Sequence, residues 1–483
     1  MSCVKLYIFL ILLLAGFAPA FSQLPGDQIT PILRNAIDSK RSRSIIVGII
    51  DSNGRRIYSE GLLSAQNPVK PNANTVYEIG SITKVFTSLI LADMSLKGTL
   101  RLEDPISKFL PASVNTPIRN GKEITLLNLS THTATFPRFP FNADPENIDD
   151  PYADYDLSKL YEYLSTYQPD MDFGTKWRYS NTAYGLLGNI LTKVANEKDY
   201  EQLIIDSICK PLKMNSTVIS LTPALLKNTA IGHSECGQPV GFLHLSSLDA
   251  AGAFRSNVND LLTFAAANLS WISSGLYPAM ELTHKSQVKK EAGGIDYATM
   301  GWTLWQDRGR NIVFKDGGTP GYRTFIGIDK VKKFAVVVLS SSNNGVTDIG
   351  THIMDPDSKI NTYQYPWVLL DTLRTALKMH STDDAISLYR QLKVNKSAGL
   401  VFDENQLNNL GIELRRNKKI KAALKIFELN ATEYPNSVVV YESLGETFKR
   451  NGNFKKAIAS FEKARKLDPD NPHWNYILSR LSD

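Results

Sequence analysis

Cysteine is scarce in this chain, with three among 483 residues. That excludes a small scaffold stapled by disulfides. No C-x-x-C pair, no H-E-x-x-H and no EF-hand loop occurs, so no metal centre is expected. Neither sign of charge dominates: Lys plus Arg is 54 and Asp plus Glu is 48, a formal net charge of +6. Without a dense basic stripe, that balance argues against nucleic acid as a partner. Long apolar runs are also lacking, save one. Lys5 precedes Leu6 to Phe17, followed by Ala18-Pro19-Ala20-Phe21-Ser22. The run is shorter than the roughly 20 residues that span a bilayer. A basic start, an apolar centre and small residues at its end read as a secretory signal over residues 1–22. Cleavage is expected after Ser22, with Ala20 the alternative. The mature chain is then periplasmic or secreted, with no stable membrane anchor. Leu14-Ala15-Gly16 is followed by Phe17, not by the Cys a lipid anchor requires. Cys209 and Cys236 remain after cleavage, and sequence leaves their pairing open because it gives no Cα separation.

What is present is ordinary globular material, 43% apolar and 21% charged, enough for two or three domains. The β-branched run Ile45–Ile50, ending at Asp51-Ser52-Asn53-Gly54, predicts a buried strand and a turn. Phe334–Leu339 predicts a second buried strand. Helices are expected at Ser81–Leu96 and Ala183–Ala195. Strands at both ends with helices between predict an α+β domain over residues 23–370, its sheet joining the two terminal regions.

The tail has a different periodicity. Leu410-Gly411 recurs as Leu444-Gly445, Ala423 as Ala457, Phe427 as Phe461 and Pro435 as Pro469. That spacing of small, aromatic and Pro residues is the tetratricopeptide period of 34 residues. Two repeats are expected at 404–437 and 438–471, with His473–Leu481 as a capping helix, so that 404–483 forms a helical repeat region. Residues 371–403 read as a helical linker or a degenerate repeat, in which Asp384–Leu392 is the second helix. Arg415, Arg416, Lys418, Lys419, Lys421, Lys455 and Lys456 are expected on a solvated face. Docking of the tail on the first domain is expected through 380–400, and a protein partner for the repeats stays open.

Three short motifs carry the chemistry. Ser81-Ile82-Thr83-Lys84 is S-x-x-K at the start of an apolar helix. A helix start supplies free N–H groups, and Lys84 lies one turn on, over Ser81. Tyr179-Ser180-Asn181 is Y-x-N, and Lys315-Asp316-Gly317-Gly318 is K-x-G ahead of a buried strand. Ser234, in Gly232-His233-Ser234-Glu235-Cys236, misses the final Gly of G-x-S-x-G and lacks its strand–helix context.

S-x-x-K, Y-x-N and K-x-G in this order resemble the penicillin-recognising serine hydrolases, in their class C β-lactamase-like branch. The similarity extends to Leu100–Pro111, to Leu129-Ser130-Thr131-His132-Thr133, to Pro211-Leu212-Lys213-Met214 and to Gly252–Asp260, over roughly residues 30–355. Ala134-Thr135 and Lys213 depart from the family's usual residues. The resemblance implies a β-lactamase/transpeptidase-like domain, an antiparallel sheet flanked by helices plus a helical subdomain. It implies Ser81 as nucleophile, with Lys84 and Tyr179 sharing the base role. It implies Asn181 on Lys84 and the substrate amide, Lys315 on a substrate carboxylate, and an oxyanion hole of the Ser81 and Gly318 N–H groups. Tyr179 is expected to be depressed by the Lys84 and Lys315 ammonium groups. Gly317 and Gly318 are expected to let the strand approach substrate. Asp316, where the family has a hydroxyl residue, is expected to cancel most of the attraction of Lys315 if both face the substrate carboxylate. His132, Trp177 and Trp302 are expected to be structural. No cofactor is implied. The expected substrate is a small molecule or peptide: a β-lactam, a D-Ala-D-Ala-type peptide or an ester. A non-catalytic penicillin-binding or sensing protein working through its tail is the alternative.

Overall fold

The computed structural model describes residues 24–285, 287–291, 296–306 and 310–482. The expected signal over residues 1–22 lies outside them. Among the described residues no helix is long and apolar enough to cross a membrane.

Eight described strands form one antiparallel sheet: β1 Ser44–Asp51, β2 Gly54–Gly61, β3 Val288–Lys289, β4 Asp296–Ala298, β5 Thr303–Trp305, β6 Ile312–Gly318, β7 Arg323–Asp329 and β8 Phe334–Ser340. Their spatial order is β2-β1-β8-β7-β6-β5-β4-β3. The two strands read from sequence lie side by side, with Ile45 opposite Ser340 and Ile50 opposite Ala335. Alternation splits the sheet's side chains between two layers. Ile45, Val47, Ile49, Val336 and Val338 pack with the N-terminal helix Gly26–Asp38 and the helix Thr347–Met354. Ile46, Ile50, Val337 and Leu339 face the larger core around the Ser81 helix. Gly48 sits where the helix Val258–Asn268 crosses β1; a Cβ there would stand 2.3 Å from Val258 Cγ1.

Cys209 is buried in that larger core, whereas Cys236 packs against the tail's apolar cluster. Both are free thiols.

The tail is all helical. Helices Glu404–Arg416 and Ile420–Glu433 form one hairpin, Val438–Arg450 and Phe454–Leu467 a second, and Pro472–Ser482 covers the end. A further pair, Val368–Met379 and Thr382–Val394, precedes them. The 34-residue period has a steric cause. A Cβ on Gly411 would meet Phe427 at 2.5 Å, and one on Gly445 would meet Phe461 at 2.9 Å. Each glycine admits the aromatic ring of its own hairpin.

Docking differs from expectation. The segment 380–400 bonds within the tail, through Lys425–Asp383 and Lys393–Glu433. The contacts to the first domain come instead from two places: Arg374 and Asn409, which donate to the Cys236 carbonyl and to Glu235 at 3.3 Å each, and helix ends facing the acidic loop 144–150. Arg415 and Arg416 both reach Asp149 at 3.2 Å. Arg480 reaches Asp144 at 3.1 Å, Lys449 also pairs with Asp144, and Arg450 donates to the Glu146 carbonyl at 3.0 Å. Arg415 is buried, 7% exposed, and so is not on the solvated face; Lys418, Lys419, Lys421, Lys455 and Lys456 are exposed. The sequence pattern hides this because the partner of Arg415 lies 266 residues away.

Asp149→Ala leaves the buried Arg415 guanidinium without its carboxylate. A loss of about 1–3 kcal/mol is expected, the cost of an unpaired charged group. Urea unfolding followed by Trp474 fluorescence, in a chain whose other tryptophans are replaced by Phe, should show the tail's transition at lower urea. An unshifted transition would show that the ion pair does not hold the tail.

Candidate active site

The site forms where three chain segments meet. Gly80–Ile82 is a turn of 3-10 helix that runs into the α-helix Thr83–Leu96, whose first ten residues are buried. Gly80 has φ +51, and a Cβ there would lie 2.6 Å from the Gly318 nitrogen. A Cβ on Gly317 would lie 2.0 Å from the Ile79 carbonyl oxygen and 2.3 Å from Thr324 Oγ1. These glycines therefore let β6 press against the nucleophile turn itself. β6 pairs with β7 along its length but with β5 only over Ile312–Phe314. On that side Lys315–Gly318 has no strand partner among the described residues, leaving an edge beside Ser81 on which an extended chain can pair.

The second segment is held by His132. Its Nδ1 accepts the Ser180 backbone N–H at 3.1 Å, which fixes the neutral tautomer, and its ring lies 4.4 Å from that of Tyr179. Burial and the nearby Lys315 and Lys84 hold its pKa well below the usual value. It is a structural histidine, as expected. Ser180 Oγ then accepts from Ala183 and starts the helix Asn181–Ala195, setting Asn181 toward the Ser81 helix.

Ser81, Lys84, Tyr179 and Asn181 come together. Ser81 Oγ lies 2.5 Å from the Tyr179 hydroxyl and 3.2 Å from Lys84 Nζ. Lys84 has no exposed surface, donates to Asn181 Oδ1 at 2.8 Å and to the Ala251 carbonyl. Lys84, Lys315 and Arg138 stand 4.9, 5.0 and 5.3 Å from the centre of the Tyr179 ring. Burial, then Lys315 and Arg138, push Lys84 well below an ordinary lysine. Burial likewise brings Lys315 down to about 8, although Asp316 opposes the shift. Tyr179 moves the other way from expectation. Burial raises it, and the Ser81 hydrogen bond and Arg138 lower it less. In a dry pocket burial disfavours both the phenolate and the ammonium, so it raises Tyr179 and lowers Lys84.

Asp316 is exposed at the rim, two places from the register partner of Arg323, whose charge faces it. The cleft beside Ser81 has a volume of about 380 Å³ and is lined by Lys290, Lys315, Arg138 and Arg323 with Asp316 as its carboxylate. Trp177 forms part of this wall, with Lys290 5.0 Å from its ring centre, so it is more than packing; Trp302, also at the cleft, is buried and stacks on Phe264. Arg138, Lys290 and Arg323 were not anticipated. Each lies on a loop or strand end with no motif around it, Lys290 directly after Lys289. Ser234 lies elsewhere, 3.2 Å from Cys236 Sγ.

Behind the nucleophile turn, Glu78 and Arg255 form an almost fully buried pair at 3.1 Å. Glu78 also accepts the Leu243 N–H at 2.8 Å, tying the turn to a wall of the cleft.

This fold and this cluster define a serine hydrolase. Residues 29–353 match the family model described as Beta-lactamase, and residues 438–471 match that of the Tetratricopeptide repeat. The chain belongs to the β-lactamase family and carries a tetratricopeptide tail. The D-alanyl-D-alanine-carboxypeptidase/endopeptidase AmpH of Escherichia coli strain K12 is 28% identical over 333 residues, 63% of this chain and 83% of that protein. A β-lactamase of Lysobacter lactamgenus is 24% identical over 361 residues, 66% of this chain and 90% of that one. Among solved structures, the D-alanine carboxypeptidase AmpC of Burkholderia cenocepacia has a TM-score of 0.58 at 23% identity, covering 68% of this chain and 97% of that chain.

Arg255→Met removes the partner of the buried Glu78 carboxylate and should cost on the order of 3–5 kcal/mol. Burial already raises Glu78 above its ordinary pKa, and losing Arg255 raises it further. A raised acid pKa means that the folded state binds the extra proton, so stability rises as pH falls. The deficit against wild type in urea should thus be smaller at pH 5 than at pH 8. A pH-independent deficit would show that the Glu78 charge is not its cause.

Proposed function

We propose that the protein cleaves amide bonds of carboxylate-bearing substrates through an acyl-enzyme on Ser81. The observation that carries this is Ser81 Oγ held between the Tyr179 hydroxyl and the Nζ of a fully buried Lys84, whose surroundings lower its pKa. The neutral Lys84 amine takes the Ser81 proton as Oγ bonds to the carbonyl carbon. The backbone N–H groups of Ser81 and Gly318 hold the oxyanion; one such donor is worth about 10²–10³ in rate. Tyr179 donates its proton to the leaving nitrogen and recovers one from the Lys84 ammonium. Water then clears the ester by the same groups in reverse. Asn181 fixes Lys84 and meets the substrate amide.

Substrate charge follows from the cleft. Four cations against one carboxylate favour an anion, and Lys315, nearest the Tyr179 ring, is the principal contact for it. The relatives are named for β-lactams and D-alanyl-D-alanine peptides, which are anionic amides. Simple esters are expected to be cleaved as well, since they need only the nucleophile and the oxyanion hole. Export rests on the sequence of residues 1–22.

Treatment with a fluorophosphonate or a penicillin should add one adduct on Ser81, and Ser81→Ala should abolish it while keeping the fold. An adduct on Ser234 or another serine removes Ser81 from the role.

The pH profile separates the two lysines. For a cephalosporin, kcat/KM should fall as pH rises through about 8, because Lys315 loses its proton there. An uncharged p-nitrophenyl ester should lack that alkaline limb. The same decline on both substrates would show that Lys315 does not act through the substrate carboxylate.

A further inference from the structure

The cleft does not end at Ser81. Away from the cationic side, a second cavity of about 400 Å³ runs from Ser81 and Asn181 past Leu243 and Leu245 to Arg138, Phe139 and Tyr152. With the substrate carboxylate at Lys315 and its amide at Asn181, this cavity takes the acyl side chain. Two loops build its walls. One is Leu243–Leu245. The other is the chain from Pro137 to Asp156, which runs between the helices Leu126–Ser130 and Leu157–Thr166. Loops beyond about 12–15 residues with no element of their own are uncommon in compact domains and are usually functional.

Both ends of the long loop are tied to the cleft. At its start the Pro137 carbonyl accepts from Ser180 Oγ and the Arg138 carbonyl from the Asn181 N–H, each at 2.8 Å. At its return Tyr152 stacks on Phe139 with ring centres 4.4 Å apart, and Ser247 Oγ donates to the Tyr155 carbonyl at 2.7 Å. Asp150 accepts the His244 backbone N–H at 3.1 Å and lies 2.6 Å from its ring Nδ1, which pins Leu243–Leu245 to the loop. Between these anchorages the loop turns outward to the tail. There the Phe141 carbonyl accepts from His473 Nδ1 at 2.9 Å, Asp144 pairs with Lys449 and Arg480, and Asp149 pairs with Arg415 and Arg416. A hollow of about 920 Å³ lies beside these contacts, between the loop and the tail.

The pair at Asp149 stands apart from the others. The Arg415 side chain is 6% exposed, against 34% for Arg416, 21% for Lys449 and 58% for Arg480. Its charge is therefore the least screened of the four. Asp149 is also the residue next to Asp150. The tail's hold on one carboxylate and the cavity wall's hold on the other thus share one peptide unit, which is planar and stiff.

We propose that Arg415 and Arg416 are positioning residues for the hydrolysis: through Asp149 they hold Asp150 and Tyr152 in place, and so fix the wall that receives the acyl side chain of the substrate. This rests on the acyl-enzyme reading above. Neither arginine lines the cavity or the cationic cleft. The tetratricopeptide tail acts as the outer anchor of an active-site loop. Acyl groups too small to reach Phe139 and Tyr152 are processed alike whether or not that anchor holds. Larger ones need it.

The test compares two esters with one leaving group, p-nitrophenyl acetate and p-nitrophenyl phenylacetate, on the full chain. They differ by a phenyl ring on the acyl side. With Arg415→Gln and Arg416→Gln, kcat/KM for the phenylacetate should fall about ten-fold relative to the acetate, the low end of what one group in an apolar pocket contributes. The loss should lie in KM, because the wall binds the acyl group and the Ser81 cluster is untouched. Asp149→Asn should give the same loss, and the three substitutions together no more, since residues acting through one contact are not additive. A Gln variant that no longer turns over even the acetate is replaced by Asp149→Asn alone, read by the same ratio. An unchanged ratio, or losses that add, overturns the positioning role and leaves the acyl-enzyme chemistry standing. Turnover of both esters that persists in Ser81→Ala overturns that chemistry, and the positioning role with it.

Discussion

The site depends on one constraint: an amine with no exposed surface. Lys84 is enclosed by Asn181, the Ala251 carbonyl and Ser81, so water cannot stabilise its ammonium form. Two further cations nearby, Lys315 and Arg138, add to that cost. A lysine in water near pH 7 is almost fully protonated and useless as a base. Burial, with those two cations, lowers the hold of Lys84 on its proton. The same dryness decides the state of Tyr179, because a phenolate in that pocket would also need solvation. The two shifts run in opposite directions, Lys84 downward and Tyr179 upward, both driven first by burial.

Enclosure of that kind needs close packing of backbones, and the glycines supply it. Gly80 and Gly317 let the nucleophile turn, β6 and Thr324 meet at distances no side chain tolerates. Much of this was legible. S-x-x-K, Y-x-N and K-x-G named the segments, and the β-branched runs at 45–50 and 334–339 named adjacent strands of the sheet. The rest was not legible because its determinants are tertiary. The direction of the Tyr179 shift depends on how dry the pocket is, which no motif encodes. Arg138, Lys290 and Arg323 converge only after folding. Glu78 and Arg255, 177 residues apart, leave no local pattern at all.

Charge in the tail shows the same limit more sharply. Arg415 and Lys418 look alike in sequence, in a run of basic residues at the end of one helix. One is buried against Asp149 and the other is exposed. Period-34 spacing reports what each hairpin needs internally, such as Gly411 against Phe427. It carries no information on which end of the hairpin will meet another domain. The acidic loop 144–150 was the complementary signal, visible only once the two are paired in space.

The chemistry of that contact has a consequence for shape. The tail's apolar cluster includes only Cys236 from the hydrolase, and the hydrolase core includes no tail residue. Two cores that meet only at Cys236 are joined by polar contacts, at Glu235 and Cys236 and at helix ends around the loop that also carries Phe139 to Tyr152. Apolar docking maximises buried area and closes the space between partners. Ion pairs instead fix orientation with little area, each contributing roughly 0–1 kcal/mol where it is exposed. Several such pairs, with the buried Arg415 among them, hold the tail in register and leave the space beside them open. A hollow of about 920 Å³ between two close-packed modules is what that mode of docking leaves. A tail held by apolar packing in the same place would have filled the route from Ser81 to its own surface.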